Sequence, residues 1–358
     1  LLLKTDFDKL IKENDGTGAT AVTKHFFKAA AFIGIVLIIL APLWWFTRNH
    51  TVTRNFFAMG TFFEITATGR FPEKTIDKAV AEIERIESLT KPGGDSDISR
   101  INQNAGISPV KIASETLEIL QLVRAHYQAL SGAFDPTIAP LIDLWGFNSN
   151  GLPHRPEKSQ IASLLPLVNF KNVTIHPSRQ TVHLTQPGMK LDLGGIAKGY
   201  AIDRAYQILQ ADGIHSALIN GGTSSIRIIG KKESKRHWIL GIGHPRHENQ
   251  LLGTLTLPNN RALSTSADTQ NFFLEEGIRY SHLIDPATGY PARDKILVTV
   301  TAPTTVEADL LSTAFFILPL HQIQTYVKNR PDIGVIIFDA AQRLTVINEP
   351  NFSATTEN

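Results

Sequence analysis

Hydrophobic positions along the chain fall into one long unbroken run and a series of short, patterned ones. Ala29 to Thr47 reads AAAFIGIVLIILAPLWWFT and carries no charge. At about 1.5 Å per residue this run spans roughly 28 Å as a helix, close to the hydrocarbon thickness of a bilayer. Lys24, Lys28 and Arg48 flank it. Trp44, Trp45 and Phe46 stand where interfacial aromatics collect, and Pro42 falls in the last turns. A buried core helix would keep a polar face, and a cleaved signal peptide would end in small residues. The run therefore predicts a membrane anchor over 29–47 behind a polar tail at 1–28. Long domains translocate regardless of flanking charge, so the expectation is a cytoplasmic N-terminus, with the long region after the anchor on the extracytoplasmic side.

After the anchor the pattern alternates between the two short periods. Thr61–Ala67 predicts a strand. Residues 73–89 predict an amphipathic helix with Ile76, Val80, Ile83 and Ile86 on one stripe. Helices are also expected over 114–130, 199–209 and 305–318. The last of these opens with Thr304-x-x-Glu307, the spacing of a capping box. Strands are expected over 173–175, 181–184, 216–219, 296–301 and 334–338. No repeat or low-complexity segment interrupts the series. The expectation is an α+β fold, a single mixed α/β domain over 51–349 with a short tail at 350–358.

Composition narrows the chemistry. Lys and Arg number 35 against 33 Asp and Glu, a net charge of +2, so phosphate-driven nucleic-acid binding has no support. With Cys at 0, disulfides, thiolate metal sites, cysteine nucleophiles and a lipidated N-terminal cysteine are excluded.

Three clusters carry candidate chemistry. Leu191-Asp-Leu-Gly-Gly-Ile-Ala-Lys-Gly-Tyr-Ala-Ile-Asp203 places paired glycines and Lys198 at a helix start, where backbone amides approach an anion closely. It is neither a Walker A loop nor a dinucleotide fingerprint, and a purely structural turn has the same look. Asp309 and Thr313 lie one turn apart on one helix face, a carboxylate and a hydroxyl suited to a hard cation. The same Asp in a first helical turn is also explained by the helix dipole. His282 precedes the Asp285-Pro-Ala-Thr-Gly289 turn, where an imidazole can exchange a proton near neutral pH or simply be solvated. Ala133-Phe-Asp-Pro136 leads into Leu144-Trp-Gly-Phe147, a segment that stacks a ring or packs. Ser264-Thr-Ser266 holds a phosphate or caps a helix.

The order of these segments is more specific than any one of them. Ala58-Met-Gly-Thr61, Asp95-Ser-Asp-Ile-Ser-Arg-Ile-Asn102, Phe134-Asp-Pro136 and Leu144-Trp-Gly-Phe147 come first. The Asp192-Leu-Gly-Gly-Ile-Ala-Lys-Gly-Tyr200 run, Ser264-Thr-Ser266, His282-Leu-Ile-Asp-Pro286, Thr288-Gly289 and Ala308-Asp309 with Thr313 follow. This series resembles the ApbE family, the FAD:protein FMN transferases, over roughly residues 53–345. The resemblance implies an enzyme that cleaves the pyrophosphate of FAD with Mg²⁺, transfers FMN to a Thr or Ser hydroxyl of an acceptor protein and releases AMP. It implies acceptors with a Ser/Thr-Gly-Ala-Thr-like segment, such as membrane redox-complex subunits or extracytoplasmic electron carriers. Members lie outside the inner (cytoplasmic) membrane; here the single-pass anchor at 29–47 would be the tether.

Carried over by motif, Met59, Ala133, Phe134, Asp135, Asp192, Lys198 and His282 should contact FAD. Gly195, through its carbonyl, Asp309 and Thr313 should bind Mg²⁺. His282, Lys198 and Asp309 are the expected catalytic residues. Two further readings remain open at this level: a FAD pyrophosphatase giving FMN and AMP, and a non-catalytic flavin-binding protein. The chain departs from the family pattern in three places. Pro92-Gly-Gly replaces an aromatic before Asp95-Ser96, Ala267 replaces the glycine after Ser-Thr-Ser, and Gly221-Gly-Thr-Ser-Ser225 lacks the usual carboxylate. In the N-terminal tail, Thr17-Gly-Ala-Thr20 matches the acceptor pattern, although composition alone explains a polar tail there.

Overall fold

Alternation along Thr61–Gly69 places Phe63, Ile65 and Ala67 on one buried face. That period of two is what lets a strand cover a core with one side. The computed structural model describes residues 49–148, 152–222, 224–232 and 236–355. The predicted anchor at 29–47 and the tail before it, Thr20 included, lie outside the described residues. Among the described residues no helix is long and apolar enough to cross a membrane.

The elements run β1 (His50–Ala58), β2 (Thr61–Gly69), α1 (Pro72–Thr90), α2 (Asp97–Gln103), β3 (Val110–Lys111), α3 (Ser114–Tyr127), α4 (Ala139–Trp145), α5 (Lys158–Leu164), β4 (Val173–His176) and β5 (Thr181–Leu184). Then follow α6 (Ala197–Ala211), β6 (Ser216–Gly221), β7 (Ser225–Ile229), β8 (Trp238–Gly243), β9 (Leu251–Leu257), β10 (Ala262–Ala267), β11 (Phe272–Glu275) and β12 (Ile278–Ser281). The series closes with β13 (Lys295–Ala302), α7 (Thr305–Ile317), α8 (Leu320–Val327), β14 (Gly334–Asp339), β15 (Leu344–Ile347) and β16 (Phe352–Ala354). The mixed α/β expectation holds. The helix expected over 114–130 stops at Tyr127, because Ser131 and Gly132 take positive φ of 52° and 75° and turn the chain out.

The main sheet has 8 strands in the order β1-β2-β6-β7-β10-β13-β14-β15. From β2 to β15 every neighbour pair is antiparallel. One face carries Ile65, Ile219, Val298 and Val300 against α1, α6 and α7. The other face carries Ile228, Leu263, Leu297 and Ile336 against the small sheet β16-β9-β8, which contributes Trp238, Leu255 and Leu257. With both faces covered, β13 is buried at every position. A satellite cluster joins α4, α5 and the β11–β12 hairpin around Trp145, whose indole donates to Gly289 O at 2.9 Å.

Two helices hold each other's N-termini. Asp203, on α6, accepts hydrogen bonds from the backbone amides of Thr305 and Val306, both at 2.9 Å, and from Thr305 Oγ1 at 2.8 Å. These are the first amides of α7, which have no partner inside their own helix. Asp309, on α7, in turn accepts the Gly199 amide in the first turn of α6 at 2.7 Å. The helices approach so closely that a Cβ on Gly199 would lie 2.5 Å from Thr305 O, which only glycine avoids. The capping box at the same helix is only half formed. Thr304 Oγ1 accepts the Glu307 amide at 3.4 Å, but the Glu307 carboxylate goes to Arg330 at 2.8 Å.

Arg227, on β7, completes this junction, with Nη1 3.6 Å from Asp203 Oδ1 and its guanidinium 4.1 Å from the Tyr206 ring centroid. Replacing Asp203 by Ala leaves this buried cation with the Pro303 carbonyl but no carboxylate, and three donors unpaired, a loss of about 3 kcal/mol or more. Chemical denaturation of Asp203→Ala is expected to show a correspondingly lower midpoint, with Asp203→Asn between the two. An unchanged midpoint would show that these donors find other partners.

Candidate functional site

A cavity of about 350 Å³ opens where α6, α7, β10 and the β11–β12 region converge. Its walls are held by backbone ties that the motif residues make. Asn102 bonds both sides of Leu191, donating to its carbonyl at 3.0 Å and accepting from its amide at 2.7 Å. The next amide, of Asp192, donates to Pro136 O at 2.7 Å. These bonds set segments 133–136 and 191–195 side by side. Phe134 then lies over Gly195, where a Cβ would come within 3.0 Å of the ring and 3.5 Å of Thr313 Oγ1.

Phe134, Ile138, Ile142, Phe147 and Ile284 give the lining its apolar part. The polar part of the lining is rich in oxygen. Asp309 is 4% exposed and uses both carboxylate oxygens, accepting Gly199 N on Oδ2 at 2.7 Å and Ser225 Oγ on Oδ1 at 2.6 Å. Each oxygen keeps a further lone pair. Hydroxyls continue along β10 and α7. Ser266 Oγ is 3.0 Å from Ser312 Oγ and 3.4 Å from Thr313 Oγ1, and Ser264 Oγ is 3.4 Å from both Ser225 and Ser312. Lys198 supplies the cation and bonds Ser224.

His282 and Asp192 face the same space. Burial lowers the His282 imidazole below the usual histidine range, partly offset by bonds to Gln270 and Asn271 and by the Asp192 carboxylate. Nδ1 lies 3.2 Å from the Gln270 carbonyl, which can only accept. The proton therefore sits on Nδ1, leaving Nε2 with its lone pair as a base. Burial raises the Asp192 carboxyl above the usual range, opposed by the Gly194 amide, which donates to Oδ1 at 2.6 Å.

The structure brings together nearly every residue the sequence singled out. Ala133, Phe134, Asp135, Asp192, Gly195, Lys198, His282, Asp309 and Thr313 all line this cavity. Met59 stands apart from the lining, in the turn between β1 and β2 with φ of 51°, packed against the main core. The Asp135 carboxylate is engaged in the scaffold, accepting from Tyr127 Oη, Phe170 N, Thr137 N and Thr137 Oγ1. Trp145, read as a ring that stacks a ligand or packs, is fully buried, whereas Phe147 reaches the cavity. Sequence reasoning missed Ser224, Ser225 and Ser312. Ser224 and Ser225 stood in the Gly221-Gly-Thr-Ser-Ser225 stretch, read there only for the carboxylate it lacks, and Ser312 lay inside a segment read for its two flanking residues.

Aromatic and aliphatic side chains, one lysine, three aspartates and a set of hydroxyls line one cavity, a composition suited to an aromatic ligand bearing phosphate. The model of the ApbE family matches residues 59–337, most of the chain, and this chain belongs to the ApbE family. It is 32% identical over 273 residues to a FAD:protein FMN transferase of Klebsiella pneumoniae, covering 75% of this chain and 83% of that relative. The crystal structure of the ApbE protein from Thermotoga maritima superposes with a TM-score of 0.76 at 31% identity, covering 83% of this chain and 97% of that one. Flavin transferase ApbE from Vibrio cholerae shares the fold, with a TM-score of 0.75 at 24% identity over 85% of this chain and 98% of that one.

The His282 environment has a measurable consequence. A lowered value means that the imidazole is neutral at pH 7 and takes a proton only below its ordinary value of about 6.5. Removing the Asp192 charge takes away a group that favours the cation. NMR titration of the ring should therefore give a midpoint below the ordinary value, and a still lower one in Asp192→Asn. A midpoint that rises in that variant would contradict the proposed pairing.

Proposed function

We propose that this protein transfers FMN from FAD to a hydroxyl of an acceptor protein and releases AMP. The observation that carries this reading is the convergence of Lys198, Asp309, Thr313 and the β10 hydroxyls on one cavity that aromatic and aliphatic side chains also line. The transferase relatives add the reaction class. In the reaction, the acceptor oxygen forms a bond to the FMN phosphorus. The bridging phosphorus–oxygen bond breaks, AMP leaves with the bridging oxygen, and the hydroxyl proton passes to a base. Phosphoryl transfer of this kind depends mostly on positioning and charge neutralisation.

The residues present divide these tasks. Phe134 and Ile142 give a ring system an apolar surface. Lys198 provides fixed positive charge for the pyrophosphate, held in position by Ser224. His282 Nε2, with its lone pair free, is the base for the hydroxyl proton. The donor set at Gly195, Asp309 and Thr313 is all oxygen with one carboxylate, which fits Mg²⁺ completed by water and phosphate. Those residues would hold the ion, and it would neutralise charge on the diphosphate when bound.

The apolar run at 29–47 supports a single-pass anchor in the cytoplasmic membrane, with the catalytic region on the extracytoplasmic side. An acceptor there would be a redox-complex subunit or an electron carrier with a Ser/Thr-Gly-Ala-Thr-like segment.

The test mixes the protein with FAD, Mg²⁺ and an acceptor bearing Ser-Gly-Ala-Thr, and follows intact mass and AMP. An FMN-sized mass gain with AMP release is expected. AMP and free FMN with no adduct on any acceptor would assign a pyrophosphatase instead. Thr313→Val keeps the Asp309–Gly199 bond and should raise the Mg²⁺ concentration for half-maximal AMP release about tenfold. Unchanged Mg²⁺ dependence would remove Thr313 from the cation site. Asp309→Ala should abolish turnover and also loosen the start of α6. The pH profile of AMP release should fall on an acid limb below about pH 6.5, as His282 takes up its proton. His282→Gln should lose that limb and about a hundredfold or more in rate.

A further inference from the structure

A second cavity, of about 360 Å³, shares no lining residue with the first and is dominated by arginine. Arg246, Arg279 and Arg293 face one carboxylate there, that of Asp268. Arg246 neutralises Asp268 in a two-pronged pair, Nη1 to Oδ1 at 2.8 Å and Nη2 to Oδ2 at 2.5 Å. The other two guanidiniums keep their charge. Arg279 lies 3.6 Å from the Phe272 ring centroid and, among the described residues, donates to the Asp268 carbonyl at 3.4 Å. Arg293 is exposed and forms no ion pair among the described residues. Stacking on Phe272 fixes the Arg279 plane in advance, so less freedom is lost when it binds a ligand.

Ser281 supplies a second, independent observation. It lines the same cavity, is 2% exposed, and its hydroxyl has no hydrogen-bond partner. Buried polar groups are normally paired, and an orphan in the lining of a cavity with two guanidiniums outside any ion pair among the described residues indicates a missing acceptor. A hydroxyl and two guanidinium forks present donors in several directions. A planar carboxylate offers two oxygens in one plane, whereas a phosphate offers three or four around a tetrahedron.

We propose that this cavity binds a phosphate-type oxyanion, held by Arg279, Arg293 and Ser281, with Arg246 kept in place by Asp268. The cavity is at the small end of the range for small-molecule sites, so free phosphate and the phosphate group of a small metabolite are both admissible sources. The site adjoins the first cavity through the chain itself. Asp268 follows Ala267 and Ser281 precedes His282, and both of those neighbours line the first cavity.

The test is calorimetric titration of the full chain in detergent, saturated with FAD in the absence of Mg²⁺, at constant ionic strength. Inorganic phosphate and glycerol phosphate are the two probes. A single saturable site is expected for at least one of them, and the tighter probe identifies the source. Arg293→Gln, an exposed change that spares the core, should weaken binding about tenfold, as should Arg279→Gln. Ser281→Ala should weaken it by a smaller factor, and Lys198→Ala should leave it unchanged. The proposal is overturned if neither probe gives saturable heat at millimolar concentration. It is equally overturned if binding survives both arginine variants or is lost in Lys198→Ala, which would place the anion in the first cavity.

Discussion

The exchange of helix starts between α6 and α7 is the constraint on which the site depends. Each helix begins where the other supplies a carboxylate: Asp203 for the amides of Thr305 and Val306, Asp309 for the amide of Gly199. A helix start presents unpaired donors and a positive dipole end, so an acidic side chain is its natural partner. Doing this reciprocally locks both the spacing and the rotation of the two helices. Rotation matters because Lys198 comes from the first turn of one and Thr313 from the third turn of the other. A small slip in either would separate the charge from the hydroxyl. Gly199 permits the arrangement, since any side chain there would collide with the Thr305 carbonyl.

Much of the fold was legible because its elements are strongly patterned. The stripe Ile76, Val80, Ile83, Ile86 marked α1, and the apolar runs at 296–301 and 334–338 marked β13 and β14, where burial on both faces leaves no alternation to misread. The three-layer stacking was not legible. Which face of β10 meets α7 and which meets β9 depends on strand order, and the order β7-β10-β13 joins strands far apart in sequence. The capping-box spacing at Thr304 predicted the helix start correctly but not the fate of Glu307, because Arg330 arrives from a distant loop.

The site was legible through order more than through any single motif. Asp309 and Thr313 announce themselves by their one-turn spacing. Ser225 does not, because nothing in a Gly-Gly-Thr-Ser-Ser stretch says that its last hydroxyl will meet a carboxylate on a later helix. Asp135 shows the opposite case. It stands in a motif, and its carboxylate is taken up by Tyr127, Thr137 and Phe170, so its contribution to the cavity is to fix the turn that presents Phe134. A residue can belong to a site's signature by holding the wall rather than by touching what lies inside it.

The row of hydroxyls from Ser225 through Ser264, Ser312 and Ser266 to Thr313 has a further consequence. Each hydroxyl is a rotor that donates in one orientation and accepts in another, while its oxygen stays fixed by the backbone. Ser225 and Ser312 are held as donors by Asp309, and the remaining hydroxyls, Ser264, Ser266 and Thr313, can reverse their polarity without moving an atom heavier than hydrogen. Against an anion they turn their protons outward, and against a cation they turn their lone pairs. Such a wall behaves as an anchored film of solvent, with water's responsiveness and little of the reorganisation that free water would require as charge migrates across the cavity.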